Sequence, residues 1–130
     1  LKAAQIDQFI DFATDLNTMV SSTNQTKDEE QKLAARLKLA NGPIKRKLGM
    51  LERSIQEGSD WIVPPSISIA DIAIWRVLGW FTSGLLDGMP KDLLTDFPKI
   101  KRVCLAVDHH PKVQEWIGRT YPKNYVRGIY

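Results

Sequence analysis

Ser68-Ile69-Ala70-Asp71, followed by the apolar run from Ile72 to Phe81, constrains this chain more than any other segment. Ser is a preferred residue just before a helix, where its hydroxyl accepts an otherwise orphaned backbone amide. Asp71 stands three residues later, where its carboxylate reaches back to the amide of Ser68, giving a capping box with Asp in place of Glu. Ile67 and Ile72 occupy the staple positions on either side. The helix so opened carries Ile74, Trp75, Val77, Leu78, Trp80 and Phe81, with Arg76 as its one charge. Apolar on all sides, it is expected at the centre of the fold.

The remaining segments supply helices to pack around it. From Ala3 to Ser21, Ile6, Phe9, Ile10, Ala13, Leu16 and Val20 repeat at helical spacing. Phe12 and Met19 widen that stripe. Asp28 to Glu57 carries Leu33, Leu37, Ala40, Ile44, Leu48, Leu51 and Ile55 in steps of three or four. Asn41-Gly42-Pro43 interrupts this run, and an interior proline costs about 3 kcal/mol. The stripe continues past it, which predicts one long kinked helix; two helices joined at Gly42 is the alternative. The Pro64-Pro65 pair removes two backbone donors and argues for a loop instead of a strand. Helices are expected from Pro98, carrying Ile100, Val103, Cys104 and Val107, and from Pro111, carrying Val113, Trp116 and Ile117. The expected architecture is all-α: a helical bundle around one buried helix, a single domain over residues 1–130.

Composition excludes several function classes. The chain has one cysteine, so no internal disulfide framework is available. Its two histidines, His109 and His110, are adjacent, which leaves no three-histidine metal centre; no metal is expected. Eighteen Lys and Arg against 15 Asp and Glu give a net charge of +3, unclustered, so no nucleic-acid partner is expected. The longest apolar stretch, Ile67 to Phe81, is broken by Ser68, Asp71 and Arg76 and falls short of the roughly 20 residues a membrane span needs. No phosphate loop, HExxH or GxSxG motif occurs, so no catalytic residue is expected within this chain.

Three features stand out as chemistry. Cys104 sits in an apolar stripe and reads as a packing residue before a nucleophile. Asp7, Asp11 and Asp15 recur four apart on one helix edge, where like charges repel modestly. A helix normally avoids such a row, which suggests a use for one of them. Arg76 is a lone guanidinium in an apolar helix: it pairs with a core-facing Asp or snorkels to the surface, or else it lines a ligand cavity.

Taken together, these motifs resemble the helical C-terminal domain of cytosolic glutathione transferases, most closely the sigma-like and related classes. The resemblance rests on Ile6-Asp7 and Asp11 leading to Thr14-Asp15-Leu16, on Leu48-Gly49-Met50-Leu51-Glu52-Arg53, and on Ser68-Ile69-Ala70-Asp71-Ile72. Phe97-Pro98-Lys99-Ile100 and His110-Pro111-Lys112-Val113-Gln114-Glu115-Trp116 extend it over essentially the whole chain. It implies a cytoplasmic homodimer acting in detoxification, with glutathione as co-substrate and a hydrophobic electrophile as its partner. Members open with a thioredoxin-like domain that binds glutathione and activates its thiol. Nothing here matches that domain, so it is expected in cis or as a separate chain, and these 130 residues alone are expected to be inactive. By motif position, Asp15 matches the acidic residue that reaches across the dimer to the γ-glutamyl amine of glutathione; a plain solvated Asp is the alternative. Asn17, Val20 and Arg76 match positions of the electrophile pocket, with Tyr125 and Tyr130 folding over its opening. Ser68 and Asp71 serve folding. Similar helical domains also act as non-catalytic interaction modules in translation and tRNA-synthetase assemblies, which is the alternative function.

Overall fold

A computed structural model describes residues 1–128 and 130. Helix α1 spans Lys2–Ser21 and passes into a 3-10 turn, Ser22–Gln25. Helix α2, Glu29–Leu39, is capped by Asp28, whose carboxylate accepts the Gln31 amide at 3.0 Å. A π turn, Ala40–Ile44, joins it without a break to α3, Lys45–Ser54. Helices α4 (Ile69–Thr82), α5 (Pro98–Asp108) and α6 (Pro111–Thr120) complete the bundle. Among the described residues there is no strand. No helix is long and apolar enough to cross a membrane, again among the described residues.

The long kinked helix forms as its spacing predicts, with one difference. Pro43 lacks an amide hydrogen, and its ring needs room that a regular turn does not give; the wider π turn supplies it. That turn inserts an extra residue, so the phase upstream slips. Arg36, Ala40, Ile44 and Leu48, four apart, face inward, while Leu33 and Leu37 stand 40% and 48% exposed. Arg36 is satisfied by three neutral acceptors: Thr23 Oγ1 at 2.9 Å, the Asp87 carbonyl at 2.9 Å and Asn24 Oδ1 at 2.8 Å. The helix stops at Ser54, short of Glu57, because Ile55 turns to an extended backbone and buries its side chain.

Helix α4 packs between α1 and α5. Ile74, Leu78 and Phe81 have no exposed surface, and the capping box closes in both directions. Asp71 Oδ2 accepts the Ser68 amide at 2.8 Å, and its Oδ1 accepts the Ile62 amide at 2.7 Å, which ties the preceding loop to the helix start. Burial pushes the Asp71 carboxyl above its ordinary value, against the pull of those amides. The helix is not buried all round, however. Ile69, Ile72 and Arg76 form an outward edge at helical spacing.

Candidate functional site

Arg76 stands on a ridge of α4 with a hollow on either flank. On one side, Ile10, Ala13, Thr14 and Asn17 of α1 and Ala73, Arg76, Val77 and Trp80 of α4 enclose an open groove of about 490 Å³. The walls are apolar apart from Thr14, Asn17 and Arg76. Arg76 is exposed and has no carboxylate within ion-pairing distance among the described residues. Its cation is therefore available to whatever enters the groove. Asn17 contributes an amide from α1. Val20, one turn further, lies elsewhere: it has no exposed surface and packs in the core among α1's inward residues.

On the other flank of the ridge, a smaller cavity lies beneath the C-terminal residues. Tyr125 and Tyr130 line this cavity and not the groove. Tyr130 Oη donates to the Trp75 carbonyl at 3.4 Å. Burial, then Cys104 and Asp108, push the Tyr130 phenol above its ordinary value, so it stays a neutral hydroxyl. Asp108, 6% exposed, accepts from Trp75 Nε1 at 3.4 Å and pairs with Arg127 at 3.3 Å. Sequence reasoning missed Asp108, because a lone acidic residue near a helix end gives no pattern.

Asp15 belongs to a different face. Asp7, Asp11 and Asp15 run along a shallow trough on α1 with Ala4, Gln8 and Phe12. At about 100° per residue, Asp15 itself lies about 100° or more around α1 from each of the groove residues, while Asp7 and Asp11 flank Thr14 more closely. The Asp15 carboxylate is 64% exposed and lies 3.6 Å from Lys47 Nζ. Lys47 also sits 5.4 Å from the centre of the Phe12 ring. This arrangement relieves part of the repulsion within the row and leaves carboxylate oxygens facing solvent, a fit for an incoming ammonium group.

Cys104 is fully buried, which pushes its thiol well above the usual range and leaves it unreactive as a nucleophile. The His110 Nδ1 accepts the Lys112 amide at 3.2 Å and so caps α6. Among the described residues, no three His, Cys, Asp or Glu side chains cluster as metal ligands.

The fold is thus an all-helical bundle with an apolar groove beside its central helix. The chain belongs to the glutathione S-transferase family: residues 14–120 match its C-terminal domain. The fold is similar to that of rat hPGDS complexed with a quinoline, with a TM-score of 0.77 at 18% identity. That likeness covers 96% of this chain and 59% of the other, and at this identity it is one of fold. The chain thus spans about three-fifths of the length of that protein. No curated protein matches it significantly. The family uses glutathione as co-substrate.

Proposed function

We propose that this domain forms the electrophile site and part of the dimer contact of a glutathione transferase. The observation that carries the reading is the groove between α1 and α4, apolar-walled with Asn17 and Arg76 as its polar points. Such a lining binds an apolar body and orients it through a few polar contacts. The reaction is attack of the glutathione thiolate on the electrophile. A free thiol has a pKa near 8.5 and is mostly protonated at neutral pH, so a separate thioredoxin-like domain holds and ionises it. This chain excludes water from the electrophile and sets its orientation. By the family resemblance, Asp15 accepts the γ-glutamyl ammonium of a glutathione held by a partner subunit; its exposed carboxylate, facing away from its own groove, supports that reading. Tyr125 and Tyr130 close the far side of the Arg76 ridge.

The test compares these 130 residues alone with the same residues joined to a thioredoxin-like domain, using glutathione and a general aromatic electrophile. Turnover is expected only in the joined protein. Conjugation by the 130 residues alone, or none by the joined protein, would overturn the reading.

A further inference from the structure

The cavity beneath the C-terminal tail measures about 200 Å³ and is walled by Trp75, Gly79 and Trp80 of α4, Ile117 of α6, and Tyr121 and Tyr125. Its outer wall is the tail itself, and that wall is fastened at several points. Gly128 lies directly on α4: a Cβ there would stand 2.5 Å from Gly79 Cα and 2.7 Å from Thr82 Oγ1. A Cβ on Gly79 would stand 2.5 Å from Tyr130 Oη. At Gly128 the obstacle is the backbone of α4, so only glycine lets the tail approach this closely, whereas at Gly79 it is the end of the Tyr130 side chain. Arg127 is held by Asp108, and Tyr121 and Tyr125 stack with ring centres 4.0 Å apart.

The cavity's charges are unequal. Asp108 neutralises Arg127, whereas Arg76 reaches the same cavity with no carboxylate partner among the described residues. One positive charge therefore sits unmatched beside aromatic walls. A dry cavity of about 150 Å³ accepts a benzene molecule, so the volume here suits one substituted ring or two fused ones. Indole and phenol faces stack favourably on such rings. We propose that this tail-walled cavity is a ligand site separate from the α1–α4 groove, taking a compact aromatic carboxylate whose ring lies among Trp75, Trp80 and Tyr125 and whose carboxylate pairs with Arg76. Arg76 and Trp80 wall both spaces, and the tail wall of Tyr125, Arg127 and Gly128 is what tells this site from the groove; it does not rest on the transferase reading, since it uses no glutathione.

The test is calorimetric titration of the whole protein, without glutathione, using 1-naphthoate and its neutral analogue 1-naphthamide. Wild type is expected to bind both, the carboxylate more tightly. Arg76→Leu should weaken naphthoate about five- to tenfold and leave naphthamide within about twofold, as loss of one solvent-screened charge-assisted contact implies. Gly128→Val has no room against Gly79, so the tail lifts and both ligands should weaken at least tenfold. Arg127→Ala frees the tail without adding volume and should weaken both in the same direction. The proposal is overturned by absence of binding to wild type, or by equal loss of both ligands in Arg76→Leu. Unchanged affinity in Gly128→Val would place the ligand elsewhere, and tighter binding would make the tail a plug; either result also overturns it. A protein that conjugates nothing yet shows the expected pattern would keep this site and remove the transferase reading.

Discussion

Glu52 Oε2 accepts the amide of Ile100 at 2.9 Å, joining the last turn of α3 to the first turn of α5. Its other oxygen accepts the Lys99 amide at 2.8 Å. Helix α5 begins at Phe97-Pro98 with no side-chain cap of its own. Pro98 has no amide to satisfy, and Glu52 takes the next two, from a residue distant in sequence. A carboxylate at a helix N-terminus also opposes the positive end of the helix dipole. Glu52→Ala should therefore cost about 1–2 kcal/mol, read as a lower denaturant midpoint. Glu52→Gln retains one acceptor and should lose less.

Asp71 performs the corresponding task for α4 and also holds the Ile62 amide of the preceding loop. Asp71→Ala leaves these amides without their acceptor and should cost about 1–3 kcal/mol. The effect should depend on pH. The folded carboxyl titrates above the ordinary 3.8 because burial disfavours its charge. A raised folded pKa means that the folded state holds the proton more tightly, so this group's contribution is fully present below the unfolded value. It is lost as pH rises through the folded one. The wild type's advantage over Asp71→Ala should be largest below about pH 4 and shrink toward neutrality. Denaturant midpoints measured at several pH values would show the trend; an advantage that grows with pH would contradict it.

Arg36 gives a third test. Its buried guanidinium forks to a hydroxyl, a carbonyl and an amide oxygen, and fixes the 3-10 turn and the Asp87 loop against α2. An ammonium cannot reproduce that planar fork. Arg36→Lys should cost about 2 kcal/mol, with each hydrogen bond to a charged group worth roughly 1.5–3 kcal/mol and the three not additive. Denaturation of the two proteins side by side measures it.

Local patterns made the helices legible. Ser68 and Asp71 announce α4, Pro98 and Pro111 announce α5 and α6, and the α1 stripe is regular enough to give Ala13, Leu16 and Val20 as inward residues. What periodicity could not carry was the effect of Pro43. The choice between a kink and a π turn depends on how the ring is accommodated, and the π turn exchanged Leu37 for Arg36 on the buried side. Glu52 and Asp108 were invisible for another reason: their partners are long-range backbone and indole groups with no sequence signature. At the site it was the family resemblance, and not spacing, that named Asn17, Val20 and Arg76; Asn17 and Arg76 do share one groove. Val20 lies in the core, as the α1 stripe by itself implied, and the tail tyrosines carry no periodic signal, their position being set by the close approach of Gly128 to α4.

Asp15 should act on glutathione and not on folding. Its carboxylate is exposed and paired only with Lys47 across 3.6 Å, a surface contact of little energetic weight. In the whole protein, Asp15→Asn should raise the KM for glutathione about tenfold, since a charge-assisted contact to an ammonium is worth roughly 1.5–3 kcal/mol. The melting temperature should stay nearly unchanged. An unaltered KM would reduce Asp15 to a solvated surface charge.

Arg76 should decide which electrophiles the groove prefers. Its guanidinium reaches the groove's apolar wall with no carboxylate neighbour among the described residues, so an anionic group on the electrophile gains a contact that a neutral one does not. The ridge is exposed to water, and solvent screening reduces a charge pair there to about 1 kcal/mol or a little more. Arg76→Leu also extends the apolar wall, which favours neutral substrates. Both effects act in one direction. The ratio of kcat/KM for an anionic over a neutral aromatic electrophile should fall about five- to tenfold in Arg76→Leu. Under the proposed function glutathione is held by the thioredoxin-like domain, so its KM should not move. Arg76→Lys keeps the charge and should recover most of the preference for anions. Equal losses for both electrophiles would mean that Arg76 shapes the groove without selecting charge.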